Sequence, residues 1–282
     1  MSLTSTYTLN DGNKIPVVGF GTWRTPDGEI AKHAVLKALE AGYRHIDTAA
    51  AYHNEGSVGA AIAESGIARE ELYITTKLAN PVGTYEGAVH AIEESLRALD
   101  TEYIDLYLIH WPTPITYREY WEKRNADCWQ AMEEAVVAGK IKSIGVSNFL
   151  PHHLEKIFET ATIQPAVNQI YLNPSDQQVE LVAFNKANDI LSEAYSPLGT
   201  GNILEIKELQ SLAESHHKSI AQIVLRWSLQ KGFLPLPKSV TDSRIVENSL
   251  LFDFELSEAE MTQIDQLQGA AASALNPDEV SF

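Results

Sequence analysis

The chain has little material for covalent cross-links or for binding polyanions. Its 282 residues include a single cysteine, Cys128, so no disulfide can form within the chain. Lysine and arginine number 21 against 38 acidic residues, which gives a formal net charge of -17. Sequence-independent nucleic-acid binding draws its affinity from cationic side chains that neutralise phosphates, so this charge disfavours a nucleic-acid partner. An anionic ligand would need a local cluster of cations.

Long apolar runs and a targeting segment are also missing. No apolar stretch approaches the roughly 20 residues that a membrane-spanning helix needs, so we predict a soluble protein without a membrane partner. The start, Met1 to Thr6, lacks the basic residues and apolar stretch of a secretory signal. Together with the lone cysteine, this predicts a cytoplasmic protein. Adjacent histidines on a helix do not face one site, so the pairs at 152–153 and 216–217 predict no metal centre.

What the chain does have is a regular alternation of strand-like and helix-like segments. An early hairpin turns at Asp11-Gly12 and is predicted to plug one end of a barrel. Eight strands are predicted at 18–21, 45–47, 72–76, 104–109, 141–146, 166–169, 190–194 and 233–236, with helices that include 30–41, 85–99, 129–138, 150–159, 178–188 and 219–230. Strict alternation implies right-handed crossovers and a parallel sheet. About eight such units in about 250 residues predict one α/β domain, a (β/α)₈ TIM barrel spanning 1–282.

A doubly wound dinucleotide-binding fold is the natural competitor. Gly19-Phe20-Gly21 follows a strand and matches the start of its glycine fingerprint. The third glycine is missing, because Arg24 stands in its place, and no helix pattern opens there. The sequence therefore favours the barrel.

Four residues with useful chemistry lie where predicted strands end. Asp47 closes one strand, Tyr52 follows in the next loop, Lys77 ends another strand and His110 ends a third. Any one of them alone is more often a helix cap, a packed side chain or a solvated one. Active sites of parallel barrels lie at the carboxyl ends of the strands, so joint placement there favours a catalytic group. A phenol with a neighbouring ammonium can protonate a carbonyl oxygen.

The segments around these residues resemble the aldo-keto reductases, especially the bacterial branch similar to 2,5-diketogluconate reductase and prostaglandin F synthase. The resemblance runs from the hairpin almost to the carboxyl terminus. It rests on GYRHIDTAAAYHNE (42–55), ITTKL (74–78), DLYLIHWP (105–112), KIKSIGVSNF (140–149), NQ (168–169), AYSPLG (194–199) and LPKSVT (236–241).

The resemblance implies reduction of aldehydes or ketones to alcohols with a nicotinamide cofactor. Tyr52 would be the general acid, and Lys77 would favour its ionised form by an amount worth about 1.36 kcal/mol per pKa unit. Asp47 would keep Lys77 charged. His110 would orient the carbonyl oxygen of the substrate.

The resemblance also implies a set of cofactor contacts. Ser147, Asn148 and Gln169 match residues that hydrogen-bond the nicotinamide carboxamide, and Tyr195 matches the one that stacks on the ring. Some residues of this chain match family residues that bind the adenosine 2′-phosphate, and one of them is an arginine, whose guanidinium suits phosphate geometry. NADPH is therefore the expected cofactor rather than NADH. The remaining implied contacts are Lys238, Ser239 and Arg244 at that phosphate, Glu247 and Asn248 at the adenine, Ser196 and Leu198 at the pyrophosphate, and Gly21, Thr22, Asp47 and Val240 elsewhere on the cofactor.

The substrate side is less uniform. Trp23 and Trp111 match aromatic walls of the family's substrate pocket, beside Tyr52 and His110. Ala79 stands where many relatives carry tryptophan, which predicts a wider pocket mouth. The segment 113–127 is predicted to be a long loop over the pocket, and the tail 276–282 is predicted to close another side.

We therefore expect a monomeric NADPH-dependent reductase of small carbonyl compounds. Two alternatives stay open at this stage. A Schiff-base aldolase would use Lys77 in the same position, and a nicotinamide-binding sensor or regulatory protein would bind the cofactor without turnover.

Overall fold

The computed structural model describes every residue from Met1 to Phe282 and contains ten strands and ten helices. The strands β1 to β10 are Thr6–Thr8, Lys14–Pro16, Phe20–Gly21, His45–Asp47, Tyr73–Leu78, Ile104–Ile109, Ile141–Ser147, Val167–Tyr171, Leu191–Tyr195 and Leu234–Pro235. The helices α1 to α10 are Glu29–Glu40, Glu55–Ser65, Tyr85–Ala98, Trp121–Val137, Pro151–Thr160, Val179–Ala187, Lys207–His216, Ile220–Gln230, Asp242–Glu247 and Glu258–Asp265. None of the helices is long and apolar enough to cross a membrane.

The eight strands β3 to β10 pair in parallel and in chain order. Two backbone hydrogen bonds join the β3 side of this sheet to the β10 side: Gly19 N–H donates to Pro235 O at 3.1 Å, and Gly21 N–H donates to Pro237 O at 3.0 Å. These bonds close the sheet into a barrel. The predicted (β/α)₈ architecture is confirmed, and no helix follows Gly21 until Glu29, as expected if its glycines are not a dinucleotide fingerprint.

The amino-terminal hairpin covers the end of the barrel where the strands begin. β1 and β2 pair antiparallel around Gly12, whose φ of 86° suits glycine. Tyr7 Oη donates to the carbonyl of Phe233 just before β10, and Asn10 Nδ2 donates to the carbonyl of Pro165 just before β8. The predicted hairpin plug is therefore confirmed at the amino-terminal ends of the strands.

The barrel interior has an apolar floor above this plug. Nine buried apolar residues form it, among them Ile15 of β2, Leu106 and Leu108 of β6, Val167 of β8 and Leu234 of β10. Burying each such side chain contributes about 1.5–3 kcal/mol. Larger apolar clusters lie outside the barrel, between the sheet and its helices. The floor fills the lower interior, so the polar side chains inside the barrel lie towards the carboxyl ends of the strands.

The main departure from the predicted elements lies between β6 and β7. The structure has a 3₁₀ segment at Ile115–Tyr120, and α4 begins at Trp121 rather than at Trp129. The charged sequence of this stretch is typical of a loop. Arg124 is nevertheless buried, and its Nε and Nη1 donate to the carbonyls of Val82 and Trp111 in loops outside the helix, while its Nη2 has no hydrogen-bond partner. The long loop predicted for 113–127 is therefore wrong.

The packing of α2 against the end of α3 generates a test of the fold. A Cβ added at Gly59 would lie 2.5 Å from the carbonyl oxygen of Leu99, whereas one added at Gly56 on the same helix would meet only Ala98 O, at 4.0 Å. Gly59→Ala should lower the free energy of unfolding by about 1–3 kcal/mol through overpacking. Gly56→Ala should leave it unchanged or raise it by up to about 1 kcal/mol. Urea denaturation of both variants measures the difference, and equal effects would contradict the close contact.

Candidate active site

A cavity of about 960 Å³ opens at the carboxyl ends of the barrel strands. Loops that follow most of the strands contribute to its wall. The sequence-predicted residues among its lining are Gly21, Trp23, Asp47, Tyr52, His110, Trp111, Ser147, Asn148, Gln169, Tyr195, Ser196, Leu198, Lys238, Ser239, Arg244, Glu247 and Asn248.

A buried ion pair lies beneath this cavity. β4 and β5 pair with Asp47 opposite Thr75, and side chains alternate along a strand, so Lys77 points inward like Thr75. Lys77 is fully buried, and its Nζ donates to Asp47 Oδ1 at 2.7 Å, to Asp47 Oδ2 at 2.8 Å and to the carbonyl of Thr48 at 2.8 Å. The same Nζ lies 3.4 Å from Tyr52 Oη. The predicted partners are thus brought together at hydrogen-bond distances.

The electrostatics of this group favour a charged lysine and a neutral tyrosine. Burial lowers the pKa of Lys77, but Asp47 outweighs it, so the pKa of Lys77 is raised. Burial raises the pKa of Tyr52 above its usual value. Lys77 opposes that rise, in the direction expected from the sequence, but does not overcome it. Tyr52 therefore carries its proton at neutral pH, as a proton donor must.

His110 lies beside Tyr52 at the cavity wall. Their ring centroids are 5.7 Å apart, with an interplanar angle of 72°. Burial, with smaller effects of Lys77 and Arg124, lowers the pKa of His110 to about 3, so the imidazole is neutral. Its Nδ1 is enclosed without a hydrogen-bond partner, whereas Nε2 is not enclosed and makes no hydrogen bond within the protein. A neutral imidazole in this position can donate from Nε2 to a carbonyl oxygen.

The polar residues at the ends of β7, β8 and β9 form one connected network. Ser147 Oγ donates to the carbonyl of Gln169 at 2.8 Å, and Asn148 Nδ2 donates to the carbonyl of His110 at 3.0 Å. Tyr195 Oη donates to Asn148 Oδ1 at 2.8 Å. Asn148 has a φ of 63°, a conformation that asparagine tolerates. The network holds these side chains in place without a ligand.

Three predicted contact residues do not line the cavity. Thr22 is buried and donates its hydroxyl to the carbonyl of Asp47 at 3.0 Å, so it supports the end of β4. Ala79 lies outside the lining, and its neighbour Asn80 takes that place. Val240 is 44% exposed, on the outer side of the turn that carries Ser239. In an extended segment one residue points inward and the next points outward. The sequence of a loop does not show which residues point inward, so these three could not be excluded from it.

The sequence did not predict several residues that support or line the site. Glu193 is a fully buried carboxyl on β9 that accepts a hydrogen bond from Gln169. Much of the far wall comes from the 3₁₀ segment Gly199–Glu205 and from the start of α8. Ser219 and Gln222 form a capping box there, a Ser-x-x-Gln pattern that the sequence does display. The other unforeseen lining residues are Arg24, Asn80, Ala51, Tyr171, Thr200, Gly201, Leu204, Ile220, Ala221, Ser273 and Leu275.

The carboxyl-terminal tail closes the aromatic side of the cavity, as the sequence predicted. Phe282 lines the cavity and packs edge-on against Trp111, with ring centroids 5.1 Å apart. The backbone N–H of Ile115 donates to the carbonyl of Phe282 at 2.9 Å, and Thr113 Oγ1 donates to the carbonyl of Pro277. No residue of 113–127 lines the cavity, so the expectation that this segment covers the pocket is wrong. It holds the tail instead.

Two histidines anchor the tail by contacting the side-chain carboxylate of Asp278. His153 Nε2 lies 2.9 Å from Asp278 Oδ1, and His152 Nε2 lies 3.3 Å from Asp278 Oδ2. These ligand-type atoms are close enough to suggest a metal site. His153 Nδ1, however, accepts from the backbone N–H of Leu150 at 3.1 Å, so its Nε2 carries the proton and donates to Asp278. With both nitrogens of His153 used, the group is an anchor rather than a metal centre.

The protein is a parallel eight-stranded barrel whose site contains a buried lysine and aspartate behind a tyrosine. A neutral histidine lies beside that tyrosine. These features define a class of barrel proteins in which a phenol can act as an acid. Comparison with known proteins identifies the family. The model of the Aldo/keto reductase family matches residues 17–268. The chain therefore belongs to the aldo/keto reductase family.

Individual relatives agree with this assignment over almost the whole chain. A glyoxal reductase of Bacillus subtilis is 45% identical over 281 residues, covering 100% of this chain and 99% of the relative. The crystal structure of an aldo/keto reductase from Brucella melitensis has a TM-score of 0.90 at 46% identity, with 95% of this chain and 99% of that one covered. An aldo-keto reductase of Bombyx mori in complex with NADP has a TM-score of 0.86 at 39% identity, with coverages of 95% and 94%.

The tail anchor can be tested without reference to activity. Asp278→Ala removes the acceptor of both histidines, so the tail should open more often. The amide of Ile115, which donates to Phe282, should then exchange its hydrogen about tenfold faster, while global stability stays nearly unchanged. Glu279→Ala is a matched control, because that neighbouring carboxylate is exposed and makes no hydrogen bond or ion pair. Equal exchange rates in the two variants would refute the anchor.

Proposed function

We propose that the protein is an NADPH-dependent reductase that converts aldehydes or ketones to alcohols, an oxidoreductase that acts on CH–OH groups in the reverse direction. The observation that carries the proposal is the approach of Lys77 Nζ to Tyr52 Oη, 3.4 Å apart at the floor of the cavity. The relative named glyoxal reductase and the structural neighbour in complex with NADP support it.

The cavity suits a dinucleotide. Its volume of about 960 Å³ is at the upper end for small-molecule sites. Lys238 and Arg244 contribute two cations to a strongly acidic protein, and the Arg244 side chain makes no ion pair or hydrogen bond within the protein. A free guanidinium at a cavity wall is well suited to a phosphate. Both observations favour NADPH, with its 2′-phosphate, over NADH.

The residues of this chain then divide the work of carbonyl reduction. NADPH supplies the hydride. Tyr52 donates its proton to the carbonyl oxygen, and the adjacent Lys77 ammonium stabilises the phenolate that remains. Asp47 keeps Lys77 charged and fixed in position. His110, neutral and beside Tyr52, orients the carbonyl oxygen by donating a hydrogen bond.

The substrate wall is apolar and aromatic. Trp23, Trp111 and Phe282 line the part of the cavity near Tyr52 and His110. Rigid rings supply shape and apolar area, and the Arg24 guanidinium stacks on the Trp23 ring with its Cζ 4.3 Å from the ring centroid. We infer a small carbonyl compound as the substrate. All groups of the site come from one chain, which supports action as a monomer.

The aldolase alternative does not fit the lysine. A Schiff-base nucleophile must reach the substrate as a neutral amine. Lys77 is fully buried, its Nζ protons are directed at Asp47 and Thr48, and its pKa is raised. The regulatory alternative is also disfavoured, because all four catalytic side chains are present and three of them line the cavity.

Removing the phenolic hydroxyl tests the general acid. Tyr52→Phe should bind NADPH with near-normal affinity and reduce glyoxal about 10²- to 10⁴-fold more slowly, the range that a positioned acid contributes. Stopped-flow measurement of NADPH oxidation and fluorescence titration of NADPH separate the two effects. Tyr43→Phe, a buried tyrosine outside the cavity whose hydroxyl has no partner, is the control. Turnover near that of the control would remove Tyr52 from its role.

Removing the free guanidinium tests the choice of cofactor. Arg244→Ala should raise the dissociation constant of NADPH about 10- to 100-fold, as expected for a charge-assisted hydrogen bond, and change that of NADH less than about threefold. Arg97→Ala, an exposed arginine on α3, serves as the matched control. If the substitution weakens the binding of NADPH and NADH equally, Arg244 does not recognise the 2′-phosphate.

A further inference from the structure

Glu193 is a buried carboxyl that the catalytic roles above do not use. It lies on β9 directly beside Gln169 of β8, because the two strands pair with these residues opposite each other. Its side chain is fully buried inside the barrel. Glu193 Oε2 accepts from Gln169 Nε2 at 2.7 Å, whereas Oε1 has no hydrogen-bond partner. Burying a carboxyl in this way costs free energy of folding, which its hydrogen bond to Gln169 offsets only in part.

The contact determines which way the Gln169 amide faces. Gln169 Nε2 donates one proton to Glu193 Oε2 and the other to Asp47 Oδ2, at 2.8 Å. The Asp47 carboxylate is an acceptor only, so it requires the NH₂ group and would repel the amide oxygen if the side chain were flipped, while Glu193 Oε2 accepts the second N–H. Both protons of the amide are therefore committed to the protein, and its oxygen points away from the two carboxyls.

The Gln169 oxygen faces the cavity. Gln169 lines the cavity, and its Oε1 accepts no hydrogen bond from any protein group. The atom is also not among the enclosed polar atoms without a partner. The neighbouring amide of Asn148 differs, since its Nδ2 donates to His110 and Ser147 and its Oδ1 accepts from Tyr195. Gln169 Oε1 is thus an amide oxygen in this network that is free to accept from a ligand.

We propose that Glu193 is a positioning residue for the nicotinamide. It holds the Gln169 amide with the oxygen turned to the cavity, where that oxygen accepts a hydrogen bond from the NH₂ of the carboxamide. The inference rests on the proposed function. Asp47 by itself occupies only one of the two amide protons, so without Glu193 the amide is free to turn its second N–H towards the ligand.

The protonation of Glu193 does not alter this role. Burial, reinforced by Asp47, raises the pKa of Glu193 to about 8. The carboxyl is therefore largely protonated at neutral pH, and with the proton on the unpartnered Oε1, Oε2 still accepts from Gln169. A protonated Glu193 also avoids a second negative charge beside Asp47, which stays free to pair with Lys77.

The test compares two nucleotides that differ only in the group facing Gln169. NADP⁺ carries the carboxamide, and its 3-acetylpyridine analogue carries an acetyl group without N–H. Glu193→Leu should weaken NADP⁺ binding about tenfold, on the scale of one buried hydrogen bond, and weaken the analogue less than about twofold. Glu193→Gln keeps an oxygen that accepts from Gln169 and should restore binding of NADP⁺. Isothermal titration calorimetry gives both dissociation constants without turnover.

Controls separate positioning from general damage. Glu55→Leu removes another buried carboxyl, one that accepts from Thr76 and does not contact Gln169, so it should not change the ratio of the two affinities. Glu193→Thr, too short to reach Gln169 and suited to a strand, repeats the test if the leucine variant does not fold. Equal weakening of both nucleotides by Glu193→Leu or Glu193→Thr, or no weakening of NADP⁺, overturns the inference. Failure of the wild-type protein to bind either nucleotide would instead overturn the proposed function.

Discussion

The buried pair of Lys77 and Asp47 is the interaction on which the site depends. Removing two charges from water costs several kcal/mol per ion unless attraction and hydrogen bonds compensate. Here Lys77 donates to both carboxylate oxygens and to the carbonyl of Thr48, and Gln169 adds a further donor to Asp47. A pair satisfied in this way stays charged in the barrel, where its field acts on Tyr52 with little screening. Such a group contributes more to chemistry than to stability.

The barrel supports this pair by separating apolar from polar layers. The hairpin and the apolar floor exclude water from below, and the helices enclose the sheet from outside. Asp47 and Lys77 lie at or next to the carboxyl ends of β4 and β5, and Gln169 and Glu193 lie opposite each other in the middle of β8 and β9. The same register that closes the sheet therefore assembles one network of carboxyls, an amide and an ammonium.

Contacts between distant segments, rather than strand register, form the aromatic wall of the cavity. Phe282 reaches Trp111 because the segment after β6 binds the tail through Thr113 and Ile115, and Asp278 binds His152 and His153. Residues far apart in the chain thus form the aromatic wall. Loops and tails vary more readily than strands, so a family can keep its reaction while changing its substrate. The substrate end of this protein is accordingly the part least tied to the barrel.

The sequence by itself determined the barrel, the hairpin plug and the grouping of Asp47, Tyr52, Lys77 and His110, because alternating periodicity and strand ends are local signals. Only the tertiary structure decided that α4 starts at Trp121, that Thr22, Ala79 and Val240 do not line the cavity, and that the segment predicted to cover the pocket holds the tail instead. It also revealed Glu193, whose role depends on its partner across the sheet. Contacts between distant segments depend on register and packing, which no short stretch of sequence records.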